Sequence, residues 1–184
     1  MIDPTTFYLT FYLFEDELHL YRNKLKGKIP TEVGLLTNLV SLYLDNNHLT
    51  GGIPTEFGTL NDLEQIYLHK NLLNGTIPAE LGNIENLANL RVYTNGLVGT
   101  IPTQLAGAFK LEFLYLQDNF LEGPVPESIS ELTRLQKLRL YWNKLEGTVP
   151  AKVCGLVDLR LTEFKTDCKG DTPEVTCGCC TTCF

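Results

Sequence analysis

Apolar residues return along this chain with a rhythm longer than that of any helix or strand. Leu42, Leu44 and Leu49 are followed by Ile53, Phe57 and Leu60, and the same spacing comes back as Leu90, Val92, Leu97, Ile101, Leu105 and Ala108. Asn recurs at Asn23, Asn47, Asn71, Asn95, Asn119 and Asn143. Pro recurs at Pro30, Pro54, Pro78, Pro102, Pro126 and Pro150, and both series step by 24 without a slip. Residues 15–158 therefore read as six repeats of 24, with the consensus L-x-x-L-x-L-x-x-N-x-L-x-G-x-I/V-P-x-x-h-G-x-L-x-x, where h is apolar. A fixed period of this length is the mark of stacked turns of a coil.

One turn can be read residue by residue. The L-x-L core alternates inward and outward, which predicts a short strand at Leu18/Leu20, Leu114/Leu116 and Leu138/Leu140. A lone strand cannot bury its apolar face, whereas identical turns stacked in a parallel ladder share one continuous core. The Asn that follows brings two donors and an acceptor to the backbone where the strand bends. Gly then permits a turn, and Pro pushes the preceding Ile or Val into an extended conformation. That predicts a second short strand on another flank, with the rest of the turn irregular or 3₁₀. Consensus Leu, Ile, Asn, Gly and Pro are thus assigned to the fold rather than to function. In the fourth repeat Ala106 and Ala108 replace the late Gly and Leu, which predicts looser packing there.

Taken together, Leu42, Leu44, Asn47, Leu49, Gly51, Ile53, Pro54, Phe57, Gly58 and Leu60, repeated in register, resemble the leucine-rich-repeat family, in its plant-type extracellular subclass. The resemblance implies an α/β-type, right-handed repeat solenoid. Short parallel β-strands would line its concave face, opposite an irregular or 3₁₀ convex side with few true helices. The expected organisation is a degenerate N-terminal turn over 1–14, six repeats over 15–158 and a Cys-rich C-terminal cap over 159–184.

Solenoid ends expose core and need caps. All six cysteines, Cys154, Cys168, Cys177, Cys179, Cys180 and Cys183, lie at the C-terminal end, as a disulfide-stapled cap would have them. Six cysteines permit 15 pairings, and the adjacent Cys179 and Cys180 are poor partners for each other on geometric grounds. Zinc is the competing reading, but its sites usually join two well-separated ligand pairs, and no metal is expected here. The tail from Thr166 to Cys183 also resembles the Cys-rich tails of leucine-rich-repeat proteins from diatom-type algae. Two registers are open beyond the last full repeat: one through Leu159, with Thr162 in a Leu position, and one through Leu161 and Phe164. At the N-terminus Phe7, Leu9, Phe11 and Leu13 are expected to cover the first turn, and Glu15 stands where a Leu belongs. The absence of a Cys-bearing N-terminal cap suggests the C-terminal slice of a longer solenoid, or a gene model lacking its first exon.

Composition narrows the role. Among 184 residues there are 33 Leu, and the repeat accounts for them. A net charge of −7 without a Lys/Arg run argues against nucleic acid or anionic lipid as a partner. No apolar run reaches the ~18–20 residues of a membrane helix. Catalytic signatures, phosphate loops and metalloprotease motifs are missing, so neither an enzyme nor a cofactor is expected.

Function is expected on the concave face. Six of the eight Tyr fall there, as Tyr21, Tyr43, Tyr67, Tyr93, Tyr115 and Tyr141, one per repeat. Tyr joins a large apolar ring to a hydroxyl and suits recognition surfaces; it is also a good strand former that can simply fill a ladder. Trp142 beside Arg139 and Tyr141 suits a protein or sugar contact, or packing against the cap. His19 and His69 lie two repeats apart, too far to share a metal. Asn74-Gly75-Thr76 is the only glycosylation sequon.

The expected protein is therefore a monomeric, extracellular or cell-surface recognition module for a protein, peptide or cell-wall glycan, secreted or part of a receptor ectodomain. One alternative is an inhibitor of a secreted wall-degrading enzyme. Another is ice binding through Thr76, Thr100 and Thr148, an array interrupted by Lys28, Gly52 and Pro124.

Overall fold

The computed structural model describes residues 16–168 and 175–184; the turn expected over 1–14, and Glu15, lie outside them. The alternating apolar segments of the six repeats, followed by two segments of the C-terminal cap, form eight parallel strands in one sheet. In spatial order these are Glu17–His19, Ser41–Tyr43, Gln65–Tyr67, Asn89–Arg91, Phe113–Tyr115, Lys137–Arg139, Glu163–Thr166 and Thr182–Cys183. Leu42, Ile66, Leu90, Leu114 and Leu138 stand in register, one per turn, and all are fully buried.

A second, six-stranded parallel sheet runs along another flank through Lys26–Lys28, His48–Gly51, Leu72–Gly75, Gly96–Gly99, Phe120–Gly123 and Lys144–Leu145. The second strand was expected at the Ile or Val before Pro; it lies just upstream and closes at the Gly. Pro has no N–H with which to continue a ladder, and the Gly turns the chain at positive φ, 77° at Gly51 and 78° at Gly75. Pairing in this sheet steps by 22 rather than 24, as in Thr50↔Leu72 and Asn74↔Gly96. The turn closes through 3₁₀ segments after each Pro, at Thr31–Leu35, Thr55–Thr59, Ala79–Asn83, Thr103–Gly107 and Glu127–Glu131. In the last repeat a short α-helix, Ala151–Cys154, takes that place.

The repeated Asn acts as foreseen. The Asn71 amide donates to the carbonyls of Leu44 and Leu68 at 3.0 Å each, and its Oδ1 accepts from the Leu49 N–H at 3.0 Å. Asn47, Asn95, Asn119 and Asn143 repeat the pattern. The preceding residue was not foreseen as special. Arg22, Asn46, Lys70, Thr94, Asp118 and Trp142 all adopt left-handed backbone, φ 52–59°. That conformation costs a non-glycine residue ~1–2 kcal/mol. It turns consecutive N–H groups toward the next coil: Asn46 donates to the His69 carbonyl at 3.0 Å and Asn47 to that of Lys70 at 3.2 Å.

Looser packing at the fourth repeat is overturned. Ala106 and Ala108 are buried, and a Cβ placed on Gly82 would lie 1.9 Å from the Gln104 carbonyl oxygen, against 2.5 Å for Gly58 and Glu80. Small residues there draw the 3₁₀ turns together instead of leaving a gap.

At the C-terminus the chain takes the register through Leu161 and Phe164, which are buried, while Leu159 is 61% exposed. Phe164 pairs with Leu138, two residues beyond the strict period. The cysteines form three disulfides, Cys154–Cys179, Cys168–Cys183 and Cys177–Cys180.

Candidate recognition surface

Alternation within each three-residue strand sends two side chains per repeat onto the concave face, and the bend adds a third. Because the register steps by 24, these side chains form columns. The central column is His19, Tyr43, Tyr67, Arg91, Tyr115, Arg139 and Lys165. From His19 to Arg139 its members touch in sequence. The Tyr43 and Tyr67 rings meet edge-on at 4.8 Å, the Arg91 guanidinium lies 4.3 Å from the Tyr67 centroid and 5.1 Å from that of Tyr115, and Arg139 lies 4.4 Å from Tyr115 on the other side. Cations over ring faces at these distances are attracted by the ring quadrupole. Polar neighbours pin the ladder: the Tyr43 hydroxyl donates to Gln65 at 3.0 Å, and Asn89 donates to the Tyr67 hydroxyl and accepts from Arg91.

A second column holds Tyr21, Asp45, His69, Tyr93, Gln117 and Tyr141. His69 stacks on Tyr93, with centroids 4.3 Å apart and planes within 16°, and its Nε2 lies 3.6 Å from the Asp45 carboxylate. Burial pushes the His69 pKa down to about 4; Asp45 opposes this, while Arg91 and Lys70 add to it. Burial likewise raises the Tyr67 and Tyr93 hydroxyls above their ordinary value. At neutral pH this stretch therefore presents neutral rings beside the Arg91 charge.

The six tyrosines do share one face, though not on equal terms. Tyr21 is 45% exposed, whereas Tyr115, clasped between two guanidiniums, is only 6% exposed. Ser41, Asp45, His69, Asn89 and Gln117 share this face but are buried among its neighbouring side chains. Trp142 is 59% exposed and meets the cap at the same time. Phe184 stacks on Tyr141 at 4.1 Å and faces Trp142 at 6.1 Å. Arg139 is held by Glu163. Burial is the largest single influence and works against both charges, but their hydrogen bond and the surrounding charges together outweigh it, so the Arg139 pKa lies above its usual value and the Glu163 pKa below. Asn74 lies away from this surface, on the second sheet. Arg91 is the concave residue whose importance the sequence reading missed. Its signal was available, since Tyr67, Arg91, Tyr115 and Arg139 stand at one position of four successive repeats.

With this surface described, similarity to known proteins acquires a meaning. A leucine-rich-repeat family model matches residues 38–60 and 110–132. The structure of Pollen Receptor Kinase 3 is 31% identical, superimposes with a TM-score of 0.74, and covers 82% of this chain and 72% of its own. The chain belongs to the leucine-rich-repeat family, in its plant-type extracellular subclass. The Arabidopsis receptor kinase HAESA, solved with the peptide hormone IDA and the co-receptor SERK1, is 38% identical with a TM-score of 0.74, over 77% of this chain and 24% of that one. A plant ice-binding protein is 29% identical with a TM-score of 0.71, over 89% of this chain and 50% of that one. The chain spans only 18–29% of the larger receptor ectodomains of this kind. No curated protein sequence matches it. No helix among the described residues is long and apolar enough to cross a membrane.

Proposed function

We propose that this chain is a non-catalytic, extracellular recognition module that holds a peptide or protein ligand along its concave face. The observation that carries the reading is the Tyr67–Arg91–Tyr115–Arg139 column. Side chains that already touch one another lose little conformational freedom on binding, and aromatic and Arg groups dominate recognition energetics. The resemblance to a receptor solved with a peptide hormone supports the peptide class. Three disulfides support an oxidising compartment. The test is selection of linear peptides from a random display library, followed by affinity measurement with Tyr67→Ala/Arg91→Ala. A loss of ten-fold or more is expected, and unchanged affinity overturns the assignment of the surface.

A second reading, ice binding, is favoured by one observation beyond the similarity to the plant ice-binding protein. Thr55, Thr76, Thr100 and Thr103 line one open groove of about 610 Å³ beside the second sheet. Thermal hysteresis that disappears in Thr76→Tyr/Thr100→Tyr would establish it, and none at millimolar concentration would remove it.

A further inference from the structure

The three disulfides at the C-terminal end are not equivalent. Cys154–Cys179 spans 25 residues and joins the last repeat to the cap, whereas Cys168–Cys183, spanning 15, lies within the cap. Cys177–Cys180 spans only 3. Closing so short a loop restrains the unfolded chain least. The backbone on either side is also held without it: Thr176 pairs with Thr148, and Thr182 pairs with Lys165 in the main sheet. This bridge therefore adds least to the fold, and its C-x-x-C spacing is left without a structural account.

Two further observations point to chemistry. Thr176, Gly178, Thr181 and Thr182 are exposed around the loop, and a Cβ added to Gly178 would meet nothing within 4 Å. The loop is thus open to a thiol from outside. In addition, the Cys177 Sγ lies 3.9 Å from the Cys179 Sγ. Both sulfurs belong to disulfides, so this is a van der Waals contact between two bridges. The short, accessible bridge rests directly against the long one that tethers the cap.

We infer that Cys177–Cys180 is a redox-active disulfide, which accepts electrons from an external dithiol and passes the opening on to Cys154–Cys179. The inference rests on an oxidised cap and so on the extracellular reading above. In the first step a thiolate of the dithiol attacks the Cys180 Sγ; the Cys177–Cys180 bond breaks and Cys177 leaves with the electron pair as a thiolate. The donor's second sulfur, once deprotonated, attacks its own first sulfur, and Cys180 leaves and takes up a proton. The donor is now a disulfide, and the opened bridge has gained two electrons. In the second step the Cys177 thiolate attacks the Cys179 Sγ. The Cys177–Cys179 bond forms as the Cys154–Cys179 bond breaks, and Cys154 leaves with the electron pair and takes up the donor's other proton. No oxidant or reductant is consumed in this exchange. A nucleophile held in contact with its target reacts as though highly concentrated, which is what the contact between the two bridges supplies. Residues 175–184 are then left with no disulfide to the repeats.

The test exposes the full oxidised chain to graded dithiothreitol, alkylates new thiols at intervals and maps them by fragment mass spectrometry. Cys177 and Cys180 are expected to be alkylated first, followed by a species with free Cys154 and Cys180 and a Cys177–Cys179 bond. The variant Cys177→Ser/Cys180→Ser should keep its melting temperature while Cys154–Cys179 opens more slowly by about ten-fold. Opening of either longer bridge before Cys177–Cys180 overturns the inference. So does an unchanged rate for Cys154–Cys179 in the variant, and so does a variant that melts early or fails to fold, which would make the short bridge a structural staple. Six free thiols in the chain secreted by a eukaryotic cell overturn the extracellular reading as well.

Discussion

The middle of the ladder and its C-terminal end solve one problem with different chemistry. Within the ladder, each repeat's backbone finds its partners on the next repeat: Asp118 and Asn119 donate to the carbonyls of Tyr141 and Trp142. At the end the period breaks, and side chains stand in for missing backbone. The Asp167 carboxylate accepts the N–H groups of both Trp142 and Asn143, at 2.9 and 3.1 Å. The Thr181 hydroxyl accepts from the Phe164 N–H and donates to its carbonyl, each at 2.9 Å. Three disulfides then hold the cap in place. The middle is stabilised by repetition, the end by particular residues and covalent closure, so damage should spread differently from each.

Removing core from the middle should have the largest effect. Leu90→Ala leaves a cavity at a fully buried site flanked by Ile66 and Leu114, and a loss of ~3–5 kcal/mol is expected by denaturant unfolding. Next comes Cys154→Ser/Cys179→Ser, which opens a closure spanning 25 residues and should cost ~3–4 kcal/mol. Hydrogen exchange distinguishes the two: the disulfide variant should lose protection from the cap inward, the core variant on both sides of residue 90. Acid should single out the middle. His69 has its pKa lowered to about 4 against ~6.5 unfolded, so the unfolded state binds the proton first. The stability it contributes is complete above pH ~6.5 and falls as pH drops toward 4, by up to ~3 kcal/mol. His69→Gln should flatten that limb of the unfolding curve. The smallest effect belongs to Asp167→Ala, ~1–2 kcal/mol from two unpartnered N–H groups at a partly exposed edge, with Asp167→Asn recovering about half.

How far the sequence could be read follows from the same contrast. The 24-residue step placed the core leucines and the Asn ladder because each is imposed by its identical neighbours. It also placed the six tyrosines on one face. It did not show that Tyr115 would be clasped by Arg91 and Arg139 while Tyr21 stayed open, since burial on a concave surface depends on side chains one coil away. Left-handed backbone before each Asn was illegible as well. Arg, Asn, Lys, Thr, Asp and Trp share no chemistry, and the conformation is set by hydrogen bonds to the next coil.

The sequence alone determined the architecture: a period of 24, an apolar stripe that only stacking can bury, and cysteines that mark where stacking stops. Tertiary structure decided what depends on distance between turns that lie far apart in the chain. It chose the register through Phe164, paired six cysteines in one of fifteen ways, and slanted the second sheet to a step of 22 that brings Gly52 and Gly96 to either side of Asn74. Periodicity is a property of each turn and is written into every one of them. Contacts between unlike side chains arise only once the coil has set its pitch.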